Sequence, residues 1–314
     1  MTIRKLFGKR LLPPFPCLVL LACLCLSVPA LAGDMVDVTA PANVGRGKPF
    51  VVRIATWYPL QDLEVRWNGR SVHPAVTKVG ERSEAVLLLG IGLRGETGTY
   101  PLEVVAHIWG HERRFSRAIE VGESAWGTET LSVAPKMVRP PASERARIEK
   151  DRELLRAALA QASPERYWTA PFFRPVKGKM LSRFGLYRTF NGNVAARHTG
   201  LDFRAWLGTP IHAMAAGKVV LVRNLYYAGN SVLIDHGNGF FSMSCHLSKT
   251  KVKEGDMVGA GQVVGLSGAT GRVTGAHLHL AVFVLGAVVD AEPFFDGAVS
   301  GEFNEKSMNQ SNNK

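Results

Sequence analysis

The segment Gly275-Ala276-His277-Leu278-His279 combines two imidazoles with an alternating pattern. In an extended strand, alternate side chains point to the same face, so His277 and His279 would lie together while Leu278 points to the opposite face. Two imidazoles placed in this way suit a shared metal ion, or one metal ligand beside one base. A solvent-exposed strand with two unrelated histidines is the alternative interpretation of this motif alone.

A second segment, His198-Thr199-Gly200-Leu201-Asp202, contributes another imidazole and a carboxylate. Because glycine at position 200 permits a bend, the two side chains can converge on one point. Together with His279 they would supply three protein ligands and leave a fourth position to water, which is the pattern of a catalytic zinc site. A histidine and an aspartate at this spacing are common by chance, so the prediction depends on the combination.

A third segment, Ser244-Cys245-His246-Leu247, closes a predicted β-hairpin whose turn is His236-Gly237-Asn238-Gly239. An Asn-Gly pair between two strands is typical of a two-residue hairpin turn. Alternation along the second strand predicts that His246 shares a face with Ser244 and points to the site, while Cys245 faces the core. A thiol buried in this way is unreactive, so we expect Cys245 to be a packing residue and not a nucleophile.

The N-terminal part of the chain is predicted to form short strands separated by turns such as Asn68-Gly69. Their number and spacing are typical of a small sandwich of two sheets. We therefore predict a mainly β protein with an N-terminal, immunoglobulin-like β-sandwich over residues 33–130. The predicted strands cover residues 49–57, 63–67, 83–89, 99–108 and 113–121.

Residues 131–171 are predicted to form a linker and a connecting helix. Residues 135–141 are rich in proline, and Ser143 is a suitable N-cap for a helix that runs to about Ala162. At the other end of the chain, residues 298–314 are mostly polar, and we predict that they form a disordered tail.

The first 32 residues have the three parts of a secretory signal peptide. A basic start without acidic residues precedes an unbroken apolar run over residues 17–26, and Ala30-Leu31-Ala32 provides small side chains for cleavage. This run is shorter than the about 20 residues that span a bilayer. We predict export across the inner membrane to the periplasm or cell envelope, with no membrane span after cleavage. A retained anchor and a lipid-modified Cys23 are the alternatives.

Composition and charge narrow the classes of partner. A chain with 46% hydrophobic and 20% charged residues is globular. Only Cys245 remains after the predicted cleavage, so the mature chain can form no internal disulfide. The net charge of +12 favours an anionic partner such as an envelope polymer. Export and the absence of a basic cluster argue against nucleic acid.

The three segments, in this order, resemble those of the lysostaphin/LytM family of zinc peptidases, also called the peptidoglycan DD-endopeptidase family. The resemblance extends over about residues 172–295 and includes Ser182-Arg183-Phe184-Gly185 and Gly268-Ala269-Thr270-Gly271. It implies an antiparallel β domain, a duplicated hybrid motif, within residues 172–297. It also implies one Zn²⁺ per chain, held by His198, Asp202 and His279, with His246 and His277 as catalytic residues.

The implied activity is that of a secreted endopeptidase. It would use a zinc-activated water to cut peptide cross-links or stem peptides of its predicted partner, peptidoglycan. Which histidine acts as base and which stabilises the oxyanion stays open. The alternatives are a non-catalytic LytM-type regulator that activates other wall hydrolases, and a wall-binding module in which zinc only supports the fold. The sequence departs from the family at Ala276, where proline is frequent, at Cys245, where alanine is usual, and at Leu280-Ala281, where an aromatic residue followed by glutamate is frequent.

Overall fold

The computed structural model describes residues 35–192 and 194–301. The predicted signal peptide, residues 1–32, lies outside the described residues, as do residues 302–314 of the predicted tail. In the part of the chain that is described, no helix is long and apolar enough to cross a membrane.

Two sheets form a β-sandwich in the N-terminal part. One sheet has the strand order β1-β3-β7-β6 and the other β2-β9-β8-β4-β5. The sandwich is a finding of the structure, whereas its immunoglobulin-like topology stays a prediction. The strands are β1 (Asp37–Thr39), β2 (Asn43–Gly45), β3 (Pro49–Thr56), β4 (Leu60–Trp67), β5 (Arg70–Val72), β6 (Thr77–Val79), β7 (Arg82–Gly90), β8 (Gly98–Ile108) and β9 (His111–Gly122).

The alternating side chains of β3 and β7 pack against two different cores. Val52 and its cross-strand partner Leu87 are buried inside the sandwich. On the opposite face of the same sheet, Val51 and its partner Leu88 join the hydrophobic core of the C-terminal region. Since both faces of this sheet are covered, the sandwich and the C-terminal region belong to one compact unit.

The predicted linker begins at the last residue of β10 (Thr128–Leu131) and contains two helices, α1 (Pro135–Val138) and α2 (Arg145–Ala160). The predicted N-cap is wrong, because Ser143 lies in a 3₁₀ turn over Ala142–Glu144 and Glu144 is the N-cap of α2, with no side-chain cap bond. The helix packs through Leu155 and Leu159 on a small core of the C-terminal sheet. Burial of these apolar side chains on one face of the helix holds it against the sheet.

The C-terminal region is built on a ten-stranded sheet with the central order β11-β14-β21-β18-β17-β16-β19. The mainly β prediction is confirmed. The ten strands of this sheet are β11 (Met180–Ser182), β14 (Leu201–Arg204), β15 (Pro210–His212), β16 (Gly217–Leu225), β17 (Gly229–Gly237), β18 (Phe240–Thr250), β19 (Met257–Val258), β20 (Val263–Ser267), β21 (His277–Val284) and β22 (Ala287–Val289). The other two strands of the region, β12 (Tyr187–Phe190) and β13 (Val194–Arg197), form a separate three-stranded sheet with β10.

The hairpin of this region agrees with the prediction from the sequence, whereas its C-terminal end differs. The predicted hairpin is confirmed: β17 pairs with β18 through a turn in which Asn238 and Gly239 both have positive φ, 53° and 75°. The chain after the sheet is ordered further than we expected. A 3₁₀ turn over Glu292–Phe294 precedes α3 (Ala298–Gly301), in which Val299 is buried in the main core.

Candidate metal centre

Asp202 and His279 face each other across two antiparallel strands. They are directly paired in the register of β14 and β21, and His279 Nδ1 lies 2.8 Å from Asp202 Oδ1. Gly200 allows this close approach. A Cβ at position 200 would lie 2.7 Å from His279 Nε2 and 2.4 Å from the carbonyl oxygen of Leu280. Only glycine fits there without displacing the strand pair.

His198 completes the cluster from the position directly after β13. Its Nδ1 donates a hydrogen bond to the carbonyl oxygen of Arg183 at 2.6 Å, so in the neutral ring Nε2 carries the lone pair. This Nε2 lies 3.1 Å from both Asp202 Oδ1 and His279 Nδ1. Two acceptors, His198 Nε2 and Asp202 Oδ1, repel at this distance unless a proton or a cation lies between them.

The donor set fits a divalent metal ion. The three ligand atoms all lie within 4.8 Å of one another, and two imidazoles with one carboxylate are a set that Zn²⁺ accepts. Burial alone would raise the pKa of Asp202, but the close contacts of its carboxylate with His198 and His279 outweigh burial and hold that pKa well below its ordinary value. Burial lowers the pKa of His279 to about 4. The carboxylate is therefore ionised and the imidazole neutral at pH 7, as metal binding requires.

His277 and His246 lie beside this cluster. His277 Nε2 is 3.7 Å from Asp202 Oδ1, and the ring centroids of His246 and His277 are 4.9 Å apart. Each Nδ1 donates to a carbonyl oxygen at 2.8 Å, that of Thr270 for His246 and that of Gly275 for His277. In the neutral rings each Nε2 is thus an acceptor. The structure brings all five predicted site residues together.

Cys245 is buried in a small hydrophobic core, as predicted, but the prediction that this core lies on the face opposite the site is wrong. Cys245 pairs with His279 in the register of β18 and β21, and cross-strand partners share a face, so the thiol lies on the same face as the site. His246 reaches that face too because its φ is 62°, a left-handed conformation that interrupts the alternation of the strand. Cys245 is nonetheless buried, and burial raises its pKa to about 12, which is not the setting of a nucleophile.

The site cavity, defined here as the space of about 300 Å³ beside these histidines, extends beyond residues 172–297. Glu129 and Leu131 of β10 and Leu155 of α2 contribute to its wall. Strand β10 and the linker helix α2 therefore build part of the site, which the sequence did not indicate.

Arg188 is a residue of the site that sequence reasoning missed. Its Nη2 lies 2.5 Å from Asp202 Oδ2, and its Nε donates to Glu129 Oε2 at 2.8 Å. Glu129 and Arg188 are neighbours because β10 pairs in parallel with β12. Arg188 occupies one carboxylate oxygen of Asp202 and leaves the other for the metal cluster. No local pattern in the sequence links these residues, which lie on separate elements.

The fold and the cluster define a mainly β protein with a buried His-Asp-His cluster that could hold a metal ion. Residues 196–291 match Peptidase family M23. A crystal structure of a putative peptidase M23 from Pseudomonas aeruginosa is 30% identical and has a TM-score of 0.59, covering 79% of this chain and 95% of that chain. The chain belongs to peptidase family M23, and the resemblance inferred from the sequence is confirmed.

Curated relatives are similar in sequence to this chain over a segment of fewer than 100 residues. Peptidoglycan DD-endopeptidase ShyA of Vibrio cholerae is 51% identical over 96 residues, which are 31% of this chain and 22% of that protein. The DD-carboxypeptidase/endopeptidase Mpg of Neisseria meningitidis is 41% identical over 93 residues, 30% of this chain and 21% of that protein. The match thus spans about a fifth of the length of these relatives.

Proposed function

We propose that this chain is a zinc-dependent endopeptidase that hydrolyses peptide cross-links or stem peptides of bacterial peptidoglycan. The observation that carries the proposal is the convergence of three metal-ligand candidates and two further imidazoles in one cavity. The names of the relatives, a peptidoglycan DD-endopeptidase and a DD-carboxypeptidase/endopeptidase, support peptidoglycan as the substrate. The predicted signal peptide supports a periplasmic or cell-envelope location.

His198, Asp202 and His279 would hold one Zn²⁺ per chain. When bound, zinc acts as a Lewis acid and lowers the pKa of a coordinated water towards about 7. The carboxylate of Asp202 stays ionised among its histidine partners, and Arg188 fixes its orientation through Oδ2. An oriented ligand set of this kind spares the protein a rearrangement when the metal binds.

His246 and His277 would handle the protons of the reaction. Each ring is anchored at Nδ1 by a carbonyl oxygen, so that Nε2 is free to accept a proton from the attacking water. A protonated ring can then donate to the leaving amine or to the negative charge on the carbonyl oxygen. The two rings are close enough to divide these tasks on one scissile bond.

A digestion tests the proposal. Residues 33–314, loaded with zinc, would be incubated with whole peptidoglycan, and the released fragments would be identified by mass spectrometry. We expect cross-linked dimers to become monomers with the intact protein and not with His277→Ala. His212→Ala is the matched control, because His212 is a half-buried histidine that bonds Pro175 and is not part of the site cavity. Zinc binding without release from any wall type would favour the non-catalytic regulator.

A further inference from the structure

Arg272 lies between two aromatic rings at the edge of the site cavity. Its guanidinium carbon is 4.5 Å from the ring centroid of Phe190 and 4.6 Å from that of Tyr227. Its backbone amide donates to the carbonyl oxygen of Tyr227 at 2.8 Å, which holds the chain in place. Stacking on two sides fixes the position of the planar guanidinium, so that only the N–H groups at its edge can donate hydrogen bonds to a ligand.

The charge of Arg272 is not neutralised within the residues that the structure describes. No carboxylate or carbonyl oxygen among them accepts a hydrogen bond from its guanidinium, whereas the neighbouring Arg188 has both Glu129 and Asp202. Burial, and to a lesser extent the charge of Arg188, lowers the pKa of Arg272. A partly buried cation without an anionic partner costs free energy, which a bound anion would offset.

We propose that Arg272 binds a free carboxylate of the substrate next to the scissile bond, and that the site therefore selects peptides with this group. The inference rests on the proposed function. A guanidinium presents paired N–H donors that match a carboxylate. In a diaminopimelate cross-link, the amino-acid end whose amine forms the scissile amide carries a carboxylate on the same carbon. A glycine bridge carries none, so the inference favours the diaminopimelate type.

Binding measurements with two matched peptides test this inference. A cross-linked stem-peptide dimer with free diaminopimelate carboxylates and the same dimer with these groups amidated would be titrated into zinc-loaded His277→Ala protein by calorimetry. We expect the acid to bind about 30-fold more tightly, the size of a charge-assisted hydrogen bond. Adding Arg272→Gln should reduce the acid-to-amide ratio to near one, and Arg272→Lys should give an intermediate ratio.

The control is Arg147→Gln. Arg147 also stacks on a tyrosine, Tyr226, but bonds Asn224 and lies outside the site cavity. This variant should keep the full preference for the acid. Melting curves and zinc titrations check that each variant is folded. If Arg272→Gln does not fold, the acid-to-amide binding ratio of Arg272→Lys tests the inference.

Equal binding of acid and amide by the protein that retains Arg272, or an unchanged ratio in the folded Arg272 variants, would overturn the inference. Cleavage of both dimers by the zinc-loaded wild-type protein is measured in parallel. Cleavage without a preference for the acid would leave the proposed function standing and the inference refuted. A binding preference for the acid without any cleavage would refute the proposed function and support the role of Arg272.

Discussion

Single residues in the site combine burial with a defined hydrogen-bond partner. His198, His246 and His277 all have Nδ1 bonded to a backbone carbonyl oxygen. Because each of these bonds selects one tautomer, each Nε2 presents a lone pair to the same region. The residues that supply the carbonyl oxygens, Arg183, Thr270 and Gly275, therefore contribute through the backbone and not through their side chains.

Substitutions of His279 and His277 should distinguish metal binding from turnover. His279→Ala removes a predicted ligand, and we expect zinc binding and peptidoglycan cleavage to be lost together. His277→Ala should keep zinc and lower turnover by about 100-fold or more, the usual effect of losing a general acid–base group. A zinc titration and a cleavage assay on each variant measure this. Normal turnover by His277→Ala would show that the role assignment is wrong.

His236 should make the stability of the fold depend on pH. Its ring is fully buried, Nδ1 donates to the carbonyl oxygen of Ala216, Nε2 accepts from the hydroxyl of Ser242, and burial lowers its pKa to about 4. In the unfolded chain the pKa of histidine is about 6.5. Below that pH the unfolded state therefore takes up the proton first, and the free energy of unfolding falls by about 3 kcal/mol between pH 6.5 and 4.

Comparison with His236→Asn isolates this effect, because the metal site titrates equally in both proteins. Urea unfolding of the metal-free proteins at pH 7.5 and pH 4.5 gives the measurement. The wild-type protein should be the more stable at pH 7.5, and its advantage should shrink at pH 4.5. An advantage of the same size at both pH values would contradict the prediction.

At the scale of elements, the strand pair β14–β21 holds Asp202 and His279 opposite each other. Gly200→Ala would bring a methyl group against the carbonyl oxygen of Leu280 and the ring of His279, and the backbone oxygen cannot turn away. We expect a loss of about 1–3 kcal/mol in unfolding free energy, together with weaker zinc binding because His279 is displaced. Chemical unfolding and a chelator competition measure the two quantities.

Gly259→Ala is the control for this substitution. A Cβ at position 259 meets no atom within 4 Å. This variant should retain the stability and zinc affinity of the wild-type protein. If both alanine variants behaved alike, the close approach at Gly200 would not be what limits the site.

The whole molecule has a core that does not depend on the metal site. The sandwich sheet and the C-terminal sheet share one hydrophobic cluster, which contains residues of β3, β7, β14, β18 and β21. We therefore expect a chelator to abolish cleavage and lower the melting temperature by a few degrees while the far-UV spectrum is unchanged. Unfolding on chelation would instead indicate the structural role of zinc that the sequence left as an alternative.

The sequence alone determined the elements and the chemistry that depend on short-range patterns. Alternation and Asn-Gly turns predicted five of the nine strands of the sandwich and the hairpin that carries His246, although its second strand continues to Thr250. The spacing of His277 and His279 predicted a shared face, and the structure places both beside Asp202. These features follow from side-chain periodicity and turn conformation, which operate over a few residues and are visible in one chain.

Only the tertiary structure decided which distant elements meet at the site. The contact of Glu129 with Arg188, the stacking of Arg272 between Phe190 and Tyr227, and the wall formed by α2 join residues from separate parts of the chain. The left-handed backbone at His246 likewise interrupts the alternation of side chains along β18, from which the faces of His246 and Cys245 were predicted. Strand register and packing fix such contacts only after long loops have closed, and no local pattern records them.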